Sequence, residues 1–139
     1  MVDTVLPAVR SRMMSRVKGR NTAPEMAVRC ALHAAGYRFR LHRGDLPGRP
    51  DIVLPHYGMA VLVHGCFWHG HDCRRGRRPG SNVEFWNLKL ARNVERDRVN
   101  VRALEAGGWR VTTLWECELQ SGISGLLNRL NSERGAPRN

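Results

Sequence analysis

Lysine is almost missing from this 139-residue chain, acidic residues are scarce, and long apolar runs are absent. No stretch approaches the roughly 18 consecutive apolar residues of a membrane span, so no membrane role is expected. Met1 to Arg10 carries no apolar core of the length a secretory signal needs. Four cysteines without such a signal point to a reducing cytoplasm, where thiols bind metal rather than pair as disulfides. There is no internal repeat, and the length suits one domain with a core of its own.

What is present is arginine. Lys+Arg outnumber Asp+Glu by 23 to 12, a formal charge of +11, and only Lys18 and Lys89 among those cations are lysine. The planar guanidinium fork fits phosphate oxygens and base edges, which makes a polyanion the expected partner. A GC-rich coding bias would also raise arginine, but the excess of cation over acid along the whole chain favours nucleic acid.

Residues 1–21 read as a basic arm around Met13-Met14. Thr-Ala-Pro-Glu (22–25) fits a capping box with proline in the first turn, so a helix is predicted from there to a stop at Gly36. Tyr37 to His42 alternates as a half-exposed strand does. Pro50 then forces an extended start to Asp51-Ile-Val-Leu, Pro55 to Gly58 forms a turn, and Met59 to Val63 is a buried strand. Pairing across that turn sets Leu54 opposite Met59 and Asp51 opposite Leu62, bringing Asp51 beside His64. After the Arg-rich segment 74–80, a helix is predicted over Val83 to Ala106, ended by Gly107-Gly108. Its apolar seam runs Val83, Trp86 or Asn87, Leu90, Val94, Val101 and Leu104, with Asp97 in the seam's missing position. Lys89, Arg92 and Arg96 form a separate basic face. Trp109 to Trp115 reads as a strand that delivers Cys117, and a short helix around Leu126, Leu127 and Leu130 precedes a polar tail over 132–139. The order of elements indicates a mixed α/β fold class.

The densest chemistry lies in residues 64–73, His-Gly-Cys-Phe-Trp-His-Gly-His-Asp-Cys. Cys66, His71 and Cys73, completed by Cys117, make a Cys₃His set of the kind that closes around structural zinc. His64 and His69 are left over as candidates for acid–base work. Asp51, at the start of a strand expected to abut His64, can bind Mg²⁺ through oxygen, or can pair with Arg49 at a turn. Asp97 on an apolar seam needs a partner, and a histidine of the loop competes with arginine for that place. Phe67 and Trp68, with Trp86, are placed to wedge between bases, while Trp109 and Trp115 read as core. Cys30 also reads as core.

Together these segments resemble the very short patch repair (Vsr) DNA mismatch endonucleases. The resemblance rests on Arg-Ser-x-x-Met (10–14), Leu-Pro-Gly-Arg-Pro-Asp (46–51), the 64–73 loop, Glu-Phe-Trp (84–86), Asn-Val-Glu-Arg-Asp (93–97) and Gly-Trp-Arg-Val…Trp-Glu-Cys (108–117). It implies a restriction-endonuclease-like fold over 22–131 with one structural Zn²⁺. It also implies a Mg²⁺-dependent nick 5′ to the mispaired thymine of a T·G mismatch, which starts very short patch repair after deamination of 5-methylcytosine. By that resemblance Asp51 and the Val63 backbone carbonyl hold Mg²⁺, and His64, His69, Asp97 and Glu25 complete the catalytic set. His69, oriented by Asp97, activates the water. Phe67, Trp68 and Trp86 enter the duplex from the major groove and Met14 from the minor groove, with Lys89, Arg92 and Arg96 on the DNA. The implied protein is a bacterial, cytoplasmic monomer acting on double-stranded DNA alongside mismatch-repair proteins. Segment 74–80 and the chain after Leu119 depart from the family pattern. A related endonuclease of relaxed or different specificity and a non-catalytic, zinc-stabilised DNA-binding module remain the alternatives.

Overall fold

Thr22 opens the first helix as its sequence suggests. In extended conformation (φ −66°, ψ 161°), it accepts a 3.3 Å hydrogen bond from the Glu25 amide through Oγ1. Only half of the expected capping box forms, because the Glu25 carboxylate turns away toward His42. Helix α1 (Ala23–Ala34) buries Glu25, Val28 and Leu32. It ends where Gly36 takes φ +86°, which lets the Tyr37 amide reach back to the Leu32 carbonyl at 3.0 Å. A computed structural model of the chain describes residues 22–71, 73 and 80–134; the arm over 1–21 with Met14, and 74–79 of the Arg-rich segment, lie outside them.

Four strands follow in one sheet of order β1-β2-β3-β4: β1 (Arg40–Leu41), β2 (Ile52–Leu54), β3 (Met59–His64) and β4 (Arg110–Trp115). β2 pairs antiparallel with both β1 and β3, and β4 runs parallel to β3. A parallel neighbour requires a crossover, supplied by helix α2 (Val83–Ala106). Leu54 pairs with Met59 and Ile52 with Val61, the register expected from the turn length. The turn is a short 3₁₀ segment, Pro55–Tyr57, closed by Gly58 at φ +60°.

β1 is shorter than the predicted Tyr37–His42. It can pair only where β2 offers partners, and His42 leaves the extended region at φ +45°. Tyr37 is committed elsewhere: its amide closes α1, and its hydroxyl bonds Asn131 of helix α3 (Leu119–Arg134). That helix takes in 132–134, which the sequence assigns to the tail.

Alternation along the strands builds two layers. Ile52, Leu54, Met59, Val61, Val63 and Leu114 face one way and pack with Val28 and Leu32 of α1 and Ile123, Leu126 and Leu130 of α3. Each such side chain contributes about 1.5–3 kcal/mol on burial. Val53, Ala60, Leu62 and His64 face the other way. There α2 lies against β4, with Leu90 and Leu104 fully buried. The α2 seam differs from expectation at its start, where Val83 is 48% exposed, and at Asn93, a buried polar residue that the apolar pattern omits. Among the described residues no helix is long and apolar enough to cross a membrane.

Candidate active site and metal centre

The loop after β3 is a chain of tight turns tied to its own backbone. The amide of His69 bonds the Gly65 carbonyl (3.2 Å), that of His71 the Cys66 carbonyl (2.9 Å) and that of Cys73 the His71 carbonyl (2.9 Å). Gly70 sits at φ +61°, and a Cβ there would lie 2.7 Å from Val94 Cγ2, so a larger residue at this place would push the loop off its seat on α2. These turns gather Cys66, His71 and Cys73, and β4 brings Cys117. The four ligand atoms lie within 4.8 Å of one another, with Cys117 Sγ 3.5 Å from His71 Nδ1. Burial pushes the Cys66 thiol up to about 12, so without a metal it stays protonated, facing Cys73 and Cys117.

His64, at the end of β3, and His69, in the loop, stack face to face at 3.7 Å with ring planes 3° apart. His69 Nδ1 lies 2.6 Å from Asp97 Oδ2, so a histidine takes the place that arginine contested. This pair is the reason a carboxylate is tolerated on the seam of α2. His64 is 7% exposed, and its Nδ1 has no hydrogen-bond partner among the described residues. Burial, and then the neighbouring His69, pull its pKa down to about 4, so it is neutral at physiological pH. Two stacked rings of which one stays neutral leave room for a single positive charge.

Asp51 opens onto the same cavity as His64, His69 and Asp97, a space of about 870 Å³. Its Oδ2 accepts a 2.8 Å hydrogen bond from the Val63 amide, an outcome of the β2–β3 register, and the expected alternative of pairing with Arg49 is not among its described bonds. Burial raises its pKa to about 6, held back by the Val63 amide and raised further by Glu25. Glu25, 1% exposed, has its two carboxylate oxygens 3.1 and 3.0 Å from His42 Nε2, and Arg29 one turn along the helix at 3.4 Å. Glu25, His42 and Asp51 thus form a third close group of potential ligands.

Beside these groups lies a cluster of rings. Phe67 stacks on Trp68 at 5.0 Å, Trp86 meets Phe67 edge-on at 5.2 Å, and Phe85, 59% exposed, extends the cluster from Trp86 at 5.2 Å. Phe67 and Trp68 also line the cavity. Arg92 and Arg96 are exposed and Lys89 is half-buried, so the basic face of α2 is only partly open to solvent.

Four residues of this region were not assigned a role by the sequence. His42 lies at the end of an alternating run that reads as an ordinary edge strand. Asn93 donates to the Trp68 carbonyl at 2.9 Å and accepts from Arg96, anchoring the ring-bearing loop one helical turn from Asp97. Phe85 belongs to the Glu-Phe-Trp motif, in which only Trp86 is assigned a role. Trp115, expected in the core, stacks instead on His71 at 4.1 Å and meets His64 edge-on at 5.1 Å. The parallel pairing of His64 with Trp115 puts it there, between the sulfur cluster and the histidine pair.

Residues 2–75 match the family described as DNA mismatch endonuclease Vsr. The type II nicking enzyme V.XorIIP of Xanthomonas oryzae pv. oryzae is 50% identical over 132 residues, 95% of this chain and 96% of that protein. V.NmeAIP of Neisseria meningitidis, another type II nicking enzyme, is 42% identical over 87% of this chain and 86% of its own length. The DNA mismatch endonuclease Vsr of Escherichia coli is 42% identical over 86% of this chain and 77% of its own. A match over more than half the chain, together with relatives aligned along most of their length, means that this protein belongs to the Vsr endonuclease family.

Proposed function

We propose that the chain is a Mg²⁺-dependent endodeoxyribonuclease that nicks one strand of duplex DNA 5′ to the mispaired thymine of a T·G mismatch. It would do so on a restriction-endonuclease-like fold stapled by one structural zinc. The observation that carries this reading is that one cavity holds both the half-buried Asp51 carboxyl and a histidine fixed at Nδ1 by Asp97. A pure DNA-binding module needs the arginines but has no use for that pair. Membership of an endonuclease family makes DNA the partner, and the charge of +11 suits a polyanion. The reading places the protein in the bacterial cytoplasm, acting as a monomer, with mismatch-repair proteins as further partners.

Three thiols and one imidazole within reach of a single ion are the donor set of a closed tetrahedral zinc site, and Cys66, His71, Cys73 and Cys117 would hold it. Asp51 and the Val63 carbonyl offer the oxygen donors that suit Mg²⁺. When bound there, Mg²⁺ supplies positive charge to the scissile phosphate as a Lewis acid. An ionised Asp97 accepts from His69, which puts the ring proton on Nδ1 and leaves the Nε2 lone pair to take a proton from the attacking water. His64 stays neutral against the ring that becomes charged. Phe67, Trp68 and Trp86 enter the base stack, at a cost of a few kcal/mol per step that is least at a mismatch. Lys89, Arg92 and Arg96 bind phosphates, and Met14 meets the minor groove.

A second reading keeps the chemistry and changes the context. Two of the relatives named above are type II nicking enzymes, which favours a related endonuclease with a sequence or mismatch specificity of its own. Labelled duplexes carrying T·G or T·A, in several flanking sequences and with Mg²⁺ or EDTA, test both. The wild type is expected to nick only T·G duplexes with Mg²⁺, and Asp51→Ala to nick none; equal cutting by Asp51→Ala sinks the assignment.

A further inference from the structure

The Glu25–His42–Asp51 group is unlike the other ligand sets because it mixes hard oxygens with one imidazole. Its three elements meet nowhere in the sequence. Glu25 comes from the first turn of α1, His42 follows β1, and Asp51 precedes β2. His42 is held there twice: its amide donates to the Asp51 carbonyl at 3.2 Å, and its left-handed backbone (φ +45°) turns the chain away from β1. Both Glu25 oxygens lie 3.0–3.1 Å from His42 Nε2. Two neighbouring ligands of an octahedral divalent cation, each at about 2.1 Å, are themselves about 3 Å apart. One ligand atom from each of the three residues falls within 4.8 Å of the others, so a small closure brings all three onto one ion.

The burial of the group asks for such an ion. Glu25 is 1% exposed, and two carboxyl groups share the place with one imidazole and with Arg29 at its edge. Asp51 Oδ2 is engaged by the Val63 amide, while Oδ1 has no hydrogen bond among the described residues. His64, 7% exposed with no hydrogen-bond partner for its Nδ1 among the described residues, lines the same cavity as Asp51. Two carboxyl groups held this close repel when both carry charge, and a bound cation offsets that repulsion.

We propose that His42 is a direct cation ligand of this chain, so that Glu25, His42 and Asp51 form a mixed oxygen–nitrogen site that selects Mn²⁺-class ions over Mg²⁺. Imidazole binds borderline transition ions well and Mg²⁺ poorly, whereas carboxylates serve both. The inference rests on the reading of Asp51 as a cation ligand and refines it: Mg²⁺ supports nicking, and the same site holds Mn²⁺-class ions more tightly. The competing role for His42 is that of a hydrogen-bond partner that merely positions Glu25. The two roles differ in selectivity. A ligand changes Mn²⁺ affinity alone, while a positioning residue changes Mn²⁺ and Mg²⁺ affinity together.

The test uses zinc-loaded, full-length protein without DNA, with Mn²⁺ and Mg²⁺ binding measured by calorimetry for wild type and His42→Gln. Glutamine keeps a donor for Glu25 but is a poor ligand for Mn²⁺. The expected result is an about tenfold loss of Mn²⁺ affinity in His42→Gln, with Mg²⁺ affinity changed less than about threefold. An unchanged ratio of the two affinities overturns the proposal. A second measurement needs no variant. Substoichiometric Mn²⁺ should broaden the His42 ring resonances of the wild type by paramagnetic relaxation, and sharp His42 signals at saturating Mn²⁺ overturn it equally. Nicking assayed in parallel separates the failures. An unchanged ratio with nicking by the wild type removes His42 alone. The expected selectivity without nicking in either cation removes the nuclease reading and leaves the site.

Discussion

The sulfur cluster and the carboxylate cluster solve the same problem with opposite materials. Cys66, His71 and Cys73 come from one loop of consecutive turns and need a single distant residue, Cys117, to close. Glu25, His42 and Asp51 come from three separate segments and meet because β1 pairs with β2, setting His42 beside Asp51, while α1 brings Glu25 to His42. The first cluster is therefore a local device, complete once a short loop and one strand are in place. The second is a product of the whole fold. Such a division suits a protein in which one cluster stabilises and the other reacts.

The contrast can be broken most severely at Cys66. Cys66→Ser is expected to drop bound metal from one zinc per chain to near zero and to lower Tm by about 10 °C or more, because zinc binding in small sites is folding free energy. Metal analysis and thermal melts measure both, and a variant that keeps its zinc and Tm ends the comparison. Asp97→Asn acts on the reactive side alone. It removes the negative partner that fixes His69, so nicking should fall about 10²- to 10⁴-fold with zinc content and melting retained. A loss of zinc in this variant means that the clusters are not separable.

The smallest effect is on pH. Asp51 must ionise to bind a cation, so nicking should fall as pH drops through about 6, with the limb moving lower as Mg²⁺ is raised. Stability in the same window carries two opposing contributions. The Asp51 pKa, raised from 3.8 to about 6, means that the folded state holds an extra proton between these values, so this contribution falls as pH rises. The His64 pKa, lowered from 6.5 to about 4, means that the unfolded state takes up the extra proton, so its contribution grows as pH rises. Asp51→Asn should expose the His64 contribution as stability that increases from pH 4 to 6.5. Denaturant melts across that range read the slope, and a flat profile removes the assignment to His64.

The local cluster was legible in the sequence and the distributed one only in part. Spacing alone set out the Cys₃His group, and hydrophobic period gave α2 from Val83 to Ala106, because such a long pattern averages out single exceptions. Turn length gave the register that seats Asp51 on the Val63 amide. His42 escaped because its position depends on where an edge strand stops, and that depends on the three residues of β2 rather than on its own neighbours. Asn93 escaped because a polar residue beside an apolar seam is ordinarily solvated; its partner is a backbone carbonyl 25 residues away. Trp115 read as core because its strand alternates. The parallel strand beside it carries a histidine at the paired position, and no period reveals that.

The placement of Trp115 gives the molecule an optical property. Its indole lies flat on His71, a residue of the sulfur cluster, and edge-on to His64, which stacks on His69. A ring in contact with both groups emits according to the charge and motion of either, since a protonated imidazole quenches indole and a neutral one does so far less. Trp115 is thus a reporter at the junction of the sulfur cluster and the histidine pair, and its emission should follow loss of metal from the one and protonation of the other as two separate events.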